Sequence, residues 1–305
     1  MALHLGFDPG GTGKKLAHVT AALDGDERLF VGRLRDRALL LPVFQRATFP
    51  YLDGASVAAI EGALSAMLAS LLAEIGPDVP AGADPREVAL DRYGAVIVSV
   101  DASSGFAVPG SGRRHTEGCV GANFNTPDES RFLASAVEWH RLENVTPLNQ
   151  RVYWKLVGFT IYRWFTRARS AAQVAAAAAR RIGPGFTVTL ERPTGVTIFE
   201  SFPSETYRGT RREALAVARS FAGRRLAPIP DAPLHASTLA TFAERLRLVA
   251  RRKDAWARSR GKAVGDCLDA FSSMMLGPWS TTIGLAARGD SPALMAAEGA
   301  IVVPR

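Results

Sequence analysis

The stretch Leu3-His4-Leu5-Gly6-Phe7-Asp8 decides how the rest of the chain is read. Its large apolar side chains fall at every second position, the period of a β-strand with one buried face, and it stops at an acid. Asp8-Pro9-Gly10-Gly11-Thr12-Gly13 forms a turn. Beyond it, Leu16 to Leu23 and Arg28 to Leu34 are apolar segments around a second turn, Asp24-Gly25-Asp26, so three antiparallel strands are expected to open the protein. The residues from Gly54 to Ile75 repeat their apolar positions at helical spacing and are stopped by Gly76-Pro77, after which a loop runs through Pro80 and Pro85. Ala95-Val96-Ile97-Val98-Ser99-Val100 is a nearly unbroken apolar run, the pattern of a central strand covered on both faces, and it too ends in an acid, Asp101.

From Ala102 to Asn125 the chain is rich in Gly and Ser and carries Arg113, Arg114 and His115, which predicts a long surface loop of the functional kind. Helices then return. Thr126-Pro127-Asp128-Glu129 reads as a capped helix start, and Thr146-Pro147 opens a longer helix expected to continue to Arg181. Strands are expected from Phe186 to Leu190 and from Val196 to Phe199, the second delivering Glu200 at its end. Thr210-Arg211-Arg212-Glu213 opens a helix closed by Gly223, and a basic helix lies around Leu239 to Arg252. Lys262 to Leu276 is the last clear helix, with Asp266 and Asp269 three apart on one face, and Ala300 to Val303 reads as a final edge strand. The expected architecture is α/β, a single domain over residues 1–305 built on one mixed sheet with flanking helices and a helical insertion at about residues 126–182.

Composition narrows the classes. The chain has 305 residues, 47% apolar and 22% charged, which excludes disorder, collagen and a disulfide scaffold. No apolar stretch reaches the roughly 20 residues of a membrane span, and the first ten residues lack a basic region before an apolar centre, so a cytoplasmic protein is expected. Cys119 and Cys267 are far apart and are expected to be buried, reduced thiols. The net charge of +8 favours a polyanionic partner, since clustered cations release counterions from nucleic-acid phosphates.

Against that basic background the acids stand out. Asp8, Asp101 and Glu200 close β segments, and Asp266 and Asp269 share a helix face, so a fold that opens its strand ends onto one crevice brings them together. Converging carboxylates repel one another unless a cation neutralises them, and hard oxygen ligands select Mg²⁺ or Mn²⁺. Two such ions promote attack of water on a phosphodiester and stabilise the leaving oxygen, so hydrolysis of DNA or RNA is the expected chemistry, with Arg113, Arg114 and His115 as substrate-binding candidates.

The element order and five phrases, LGFDPGG from Leu5, VDASSG from Val100, IFESFPSETYR from Ile198, GDCLDAF from Gly265 and EGAIVVP from Glu298, together resemble one family. It is the domain-of-unknown-function family 429, whose members are described as predicted ribonuclease H-like nucleases. The resemblance implies a ribonuclease H-like sheet and a metal-dependent nuclease site. It carries over Asp8 as the first-strand ligand, Asp269 as the helix carboxylate and Glu200 from its Glu-x-x-Pro-x-Glu phrase, with Asp101 and Asp266 completing the shell. The family's Arg-x-Cys-Asp stretch is replaced here by Arg113-Arg114-His115-Thr116-Glu117.

Two other readings compete. Gly10-Gly11-Thr12-Gly13-Lys14 is not a phosphate-binding P-loop, because Asp8 and Lys15 stand where that motif needs Gly and Ser or Thr. Asp8 to Thr12 does resemble the first phosphate motif of the actin, hexokinase and heat-shock ATPase superfamily, which would make the protein an ATP-dependent phosphotransferase. A non-catalytic nucleic-acid-binding protein would keep the basic surface and leave the acids as ordinary turn and cap residues. The aromatic-rich run Tyr153, Trp154, Phe159, Tyr162, Trp164 and Phe165 has the spacing of a helix packed in a core.

Overall fold

The computed structural model describes residues 2–9, 17–23, 31–34, 54–75, 77–122, 125–132, 147–190, 193–203, 205, 269–270, 272–274, 276–277 and 284–305. Among the described residues eight strands form one mixed sheet: β1 (Ala2–Asp8), β2 (Ala17–Leu23), β3 (Val31–Leu34), β4 (Ala95–Val100), β5 (Thr187–Val188), β6 (Gly195–Ser201), β7 (Leu285–Arg288) and β8 (Ile301–Pro304). Their order across the sheet is β3-β2-β1-β4-β6-β8-β7-β5. The first three strands are antiparallel, as their short connections require, whereas β1, β4, β6 and β8 run parallel. The α/β class and the mixed sheet are therefore present. The last strand is not at an edge: β8 lies between β6 and β7, and its Ile301, Val302 and Val303 are fully buried or nearly so. Its unbroken apolar run is the mark of a covered strand.

Alternation along the parallel strands creates two faces. Leu3, Leu5 and Phe7 of β1 join Val96, Val98 and Val100 of β4 and Ile198 of β6 in one core cluster. Four helices belong to the described chain on or beside this face: α1 (Gly54–Ile75), α2 (Pro85–Tyr93), α4 (Pro147–Thr166) and α5 (Ala171–Ala179), α3 being the short helix His115–Cys119. Helix α1 contributes Leu64, Leu68, Leu71 and Leu72, one stripe at helical spacing. Phe159, Tyr162, Trp164 and Phe165 of α4 are buried in the same cluster, so this part of the aromatic run is core.

The opposite face carries His4, Gly6 and Asp8, and against it lies a late helix whose described residues fall between 269 and 277. A Cβ built on Gly6 would stand 2.1 Å from the Ala270 carbonyl oxygen and 2.5 Å from the Met274 nitrogen, and one built on Gly277 would stand 2.1 Å from Nδ1 of His4. The helix therefore runs back along β1, its Asp269 end over the strand's carboxyl end. Only glycine at position 6 permits so close an approach of two backbones.

Some local expectations shift. The loop through Pro85 contains α2, capped by the Asp84 side chain with Pro85 in its first turn. The long helix does not reach Arg181: it ends at Thr166, Arg167 takes a left-handed φ of 57°, and Ser170 caps α5. Asp128, not Thr126, caps the helical turn that follows, its Oδ1 accepting from the Arg131 amide at 3.1 Å. Ser291 caps a further helix, α6 (Pro292–Glu298), which like β7 was not among the expected elements. The expected helices at 210–223 and 239–252, and residues 133–146 of the expected insertion, lie outside the described residues. Among the described residues no helix is long and apolar enough to cross a membrane.

Candidate metal centre

Three carboxylates meet where β1, β4 and the late helix converge. Asp8, Asp101 and Asp269 each offer an oxygen, and these oxygens lie within 4.8 Å of one another; Asp8 and Asp269 are buried and Asp101 is half-buried. Their convergence follows from strand register. Phe7 is level with Val100 in the parallel pair, and the Asp101 amide donates to the Phe7 carbonyl at 2.8 Å, so Asp8 and Asp101 leave adjacent strands at the same level on the same face. The late helix supplies the third acid because Ala270, its neighbour, is seated on Gly6. Ser273 Oγ donates to the Asp269 carbonyl at 2.9 Å and meets Ser201 Oγ at 2.7 Å, tying the first turn of the described helix to the end of β6.

Glu200 is not one of this group. Val100 is level with Glu200 in the β4 to β6 pair, so Glu200 takes the face of Val100 and Phe7, opposite to Asp8 and Asp101. One residue of register separates the two faces of a strand. The expectation that the strand ends before Glu200 missed this: β6 continues through it to Ser201, and Ser201 occupies the position on the face of the three aspartates. Glu200 is instead fully buried and ion-paired with Arg114, which donates from Nη2 to Oε1 at 2.5 Å and from Nη1 to Oε2 at 2.8 Å. The Ser104 amide and hydroxyl both donate to Oε2 at 2.9 Å.

Arg114, expected in a surface loop as a substrate-binding candidate, is fully buried. A substrate-binding guanidinium must reach solvent, and this side chain has no exposed surface. Besides Glu200 it faces Glu117, with Nε 3.2 Å from Oε1, and it donates to the Glu298 carbonyl at 3.0 Å. Burial opposes its charge, but the carboxylates of Glu200 and then Glu117 outweigh that cost and hold its pKa above the usual arginine value. Burial, with the Glu200 charge next, also pushes the Tyr162 hydroxyl well above the usual tyrosine value; it donates to the Ala102 carbonyl at 2.8 Å.

Arg113 and His115 are exposed and line an open groove of about 540 Å³ with Ser111, Cys119 and Asp290. His115 is held from behind: its amide donates to Oε2 of the buried Glu298 at 2.8 Å, and its Nδ1 lies 3.1 Å from Oε1. Cys119 is exposed rather than buried, because α3 ends there at the surface, and its thiol donates to Asp290 at 3.2 Å. Asp266, Cys267 and Gly10 to Lys15 lie outside the described residues.

The sequence groups Asp8, Asp101 and Asp269 among its candidate acids but leaves unseen the ion pair between two of the remaining candidates, Glu200 and Arg114. Its signal was present in part: β6 keeps alternating through Ser201, which places Glu200 with the core-facing residues. Compared with family models, curated proteins and solved structures, the chain matches none.

Proposed function

We propose that the protein is a divalent-cation-dependent nuclease whose metal site is Asp8, Asp101 and Asp269. One observation carries the reading: three carboxylates from two strands and a helix bring oxygens within 4.8 Å of one another. Three like charges at that spacing are mutually destabilising, and a hard divalent cation such as Mg²⁺ or Mn²⁺ removes the repulsion while matching the all-oxygen donor set. The sheet supports a ribonuclease H-like classification, since three antiparallel strands are followed by parallel β4 and β6 in the order β3-β2-β1-β4-β6. The net charge of +8 supports a nucleic-acid substrate.

When bound, Mg²⁺ or Mn²⁺ supplies Lewis acidity toward a phosphoryl oxygen and activates water for in-line displacement. The protein's share is placement. Asp8 and Asp101 project from the ends of adjacent parallel strands, and Asp269 from a helix locked onto β1 at Gly6, so the donor set stands on rigid elements. The exposed Arg113 is available to a backbone phosphate, while Arg114 and Glu200 serve the scaffold.

The test is cleavage of single-stranded, duplex and branched nucleic acids in Mg²⁺ or Mn²⁺ by the parent, Asp8→Asn and Asp269→Asn. Each substitution is expected to lower the rate at least about 100-fold, the scale of disrupting a metal site. Equal cleavage by all three would mean that a contaminant is responsible.

A further inference from the structure

We infer that Arg114 and Glu200 are positioning residues that set the place of Asp101 from the far face of the sheet; this rests on the reading of the three aspartates as a metal site. The segment that begins at Asp101 is Asp-Ala-Ser-Ser-Gly, a sequence without the apolar bulk to hold itself in place. Every residue of it is nevertheless fastened. The Asp101 amide donates to Phe7, Tyr162 donates to the Ala102 carbonyl at 2.8 Å, and Ser103 Oγ meets Thr126 Oγ1 at 2.8 Å. Ser104 then gives both its amide and its hydroxyl to Glu200, and Arg114 reaches the Gly105 carbonyl at 3.4 Å.

The pair is the centre of this fastening. Glu200 belongs to a central strand, whereas Arg114 stands at the start of α3, a long way along the same loop, so their two-pronged bond closes the loop onto the sheet. Both side chains are fully buried, where a bond between ionised groups is strong and the loss of one partner leaves an uncompensated charge. Asp101 is three residues from Ser104, so loosening Glu200 frees the backbone that aims the Asp101 carboxylate, while Asp8 and Asp269 keep their seats.

The experiment measures Mn²⁺ binding to the full-length protein by calorimetry, at a temperature where circular dichroism shows each variant folded. Glu200→Gln is expected to weaken binding roughly 10- to 100-fold, the usual effect of removing a group that orients a ligand. Arg114→Lys keeps the charge but not the two-pronged geometry and should fall between parent and Glu200→Gln; it also keeps the test open if Glu200→Gln does not fold. Asp84→Asn, which loosens an ion pair with Arg86 at the start of α2, should bind as the parent does. In metal-free protein the amides of residues 101–105 should exchange faster in Glu200→Gln. Unchanged exchange, or affinity within twofold of the parent despite a lowered melting temperature, overturns the inference alone. A parent that binds no Mn²⁺ overturns the metal-site reading and the inference with it.

Discussion

Gly6 and Ala270 are in backbone contact: a Cβ at Gly6 would stand 2.1 Å from the Ala270 carbonyl oxygen. This contact joins the first strand to a helix more than 260 positions later and is what places Asp269 beside Asp8. Gly6→Ala must push the late helix off β1, since the atoms in the way are main chain. It should cost about 1–3 kcal/mol or more, as overpacking of a filled site does, and should weaken divalent-cation binding in the same protein. Urea unfolding and metal titration check both; a variant as stable as the parent would show that the helix does not sit there.

The buried cluster around Arg114 makes an ordering prediction. Arg114 is ion-paired with both Glu200 and Glu117, so Arg114→Met strands two buried carboxylates, whereas Glu200→Gln leaves Arg114 with Glu117. Removing one partner of a buried pair costs about 3–5 kcal/mol, and Arg114→Met should lie at or above the top of that range with Glu200→Gln below it. Equilibrium unfolding of the two variants measures the order, and equal or reversed losses would contradict the arrangement.

How much of this was legible in sequence depends on what each signal reports. Period-two alternation in Leu3 to Asp8 and the apolar run from Ala95 to Val100 report burial directly, and both strands were read to within a residue. Gly54–Ile75 was read to its ends because its apolar stripe and its glycine-proline stop agree. Helices α2 and α6 are absent from the sequence reading although Asp84-Pro85 and Ser291-Pro292 are cap-and-proline starts: Pro85 also fits a loop, and both helices are short, nine and seven residues, so neither shows a sustained apolar period. The Arg114–Glu200 pair was legible from one side only: alternation through Ser201 turns Glu200 toward the core, but nothing local marks Arg114 as its partner. It joins residues 86 positions apart and depends on a one-residue register choice between strands that are not neighbours in sequence.

Stability should fall in mild acid through His4. Burial of this imidazole against the late helix lowers its pKa from 6.5 to about 4. The folded chain therefore holds His4 neutral while the unfolded chain takes up a proton below pH 6.5. The contribution is intact above that pH and is lost as pH falls toward 4, at up to about 1.4 kcal/mol per pH unit. His4→Gln removes the titrating group. The stability difference between parent and His4→Gln, from urea midpoints between pH 7.5 and 5, should shift against the parent as pH drops; a constant difference would contradict it.

Cys119 is exposed yet should react slowly. Burial of part of the thiol, and its hydrogen bond to Asp290 next, raise its pKa, and alkylation requires the thiolate. Asp290→Asn removes the charge that opposes ionisation, so the Cys119-containing peptide should be alkylated severalfold faster at pH 8 in that variant, as read by mass spectrometry. Equal rates would mean that Asp290 does not govern the thiol.

The central claim is that three aspartates from distant parts of the chain form one cation site. Crystals of the protein soaked in Mn²⁺ and measured at the manganese absorption edge test it directly. Anomalous density bounded by Asp8, Asp101 and Asp269, absent in crystals of Asp8→Asn, is the predicted result. A lysine or arginine side chain filling that space with no anomalous signal would contradict it.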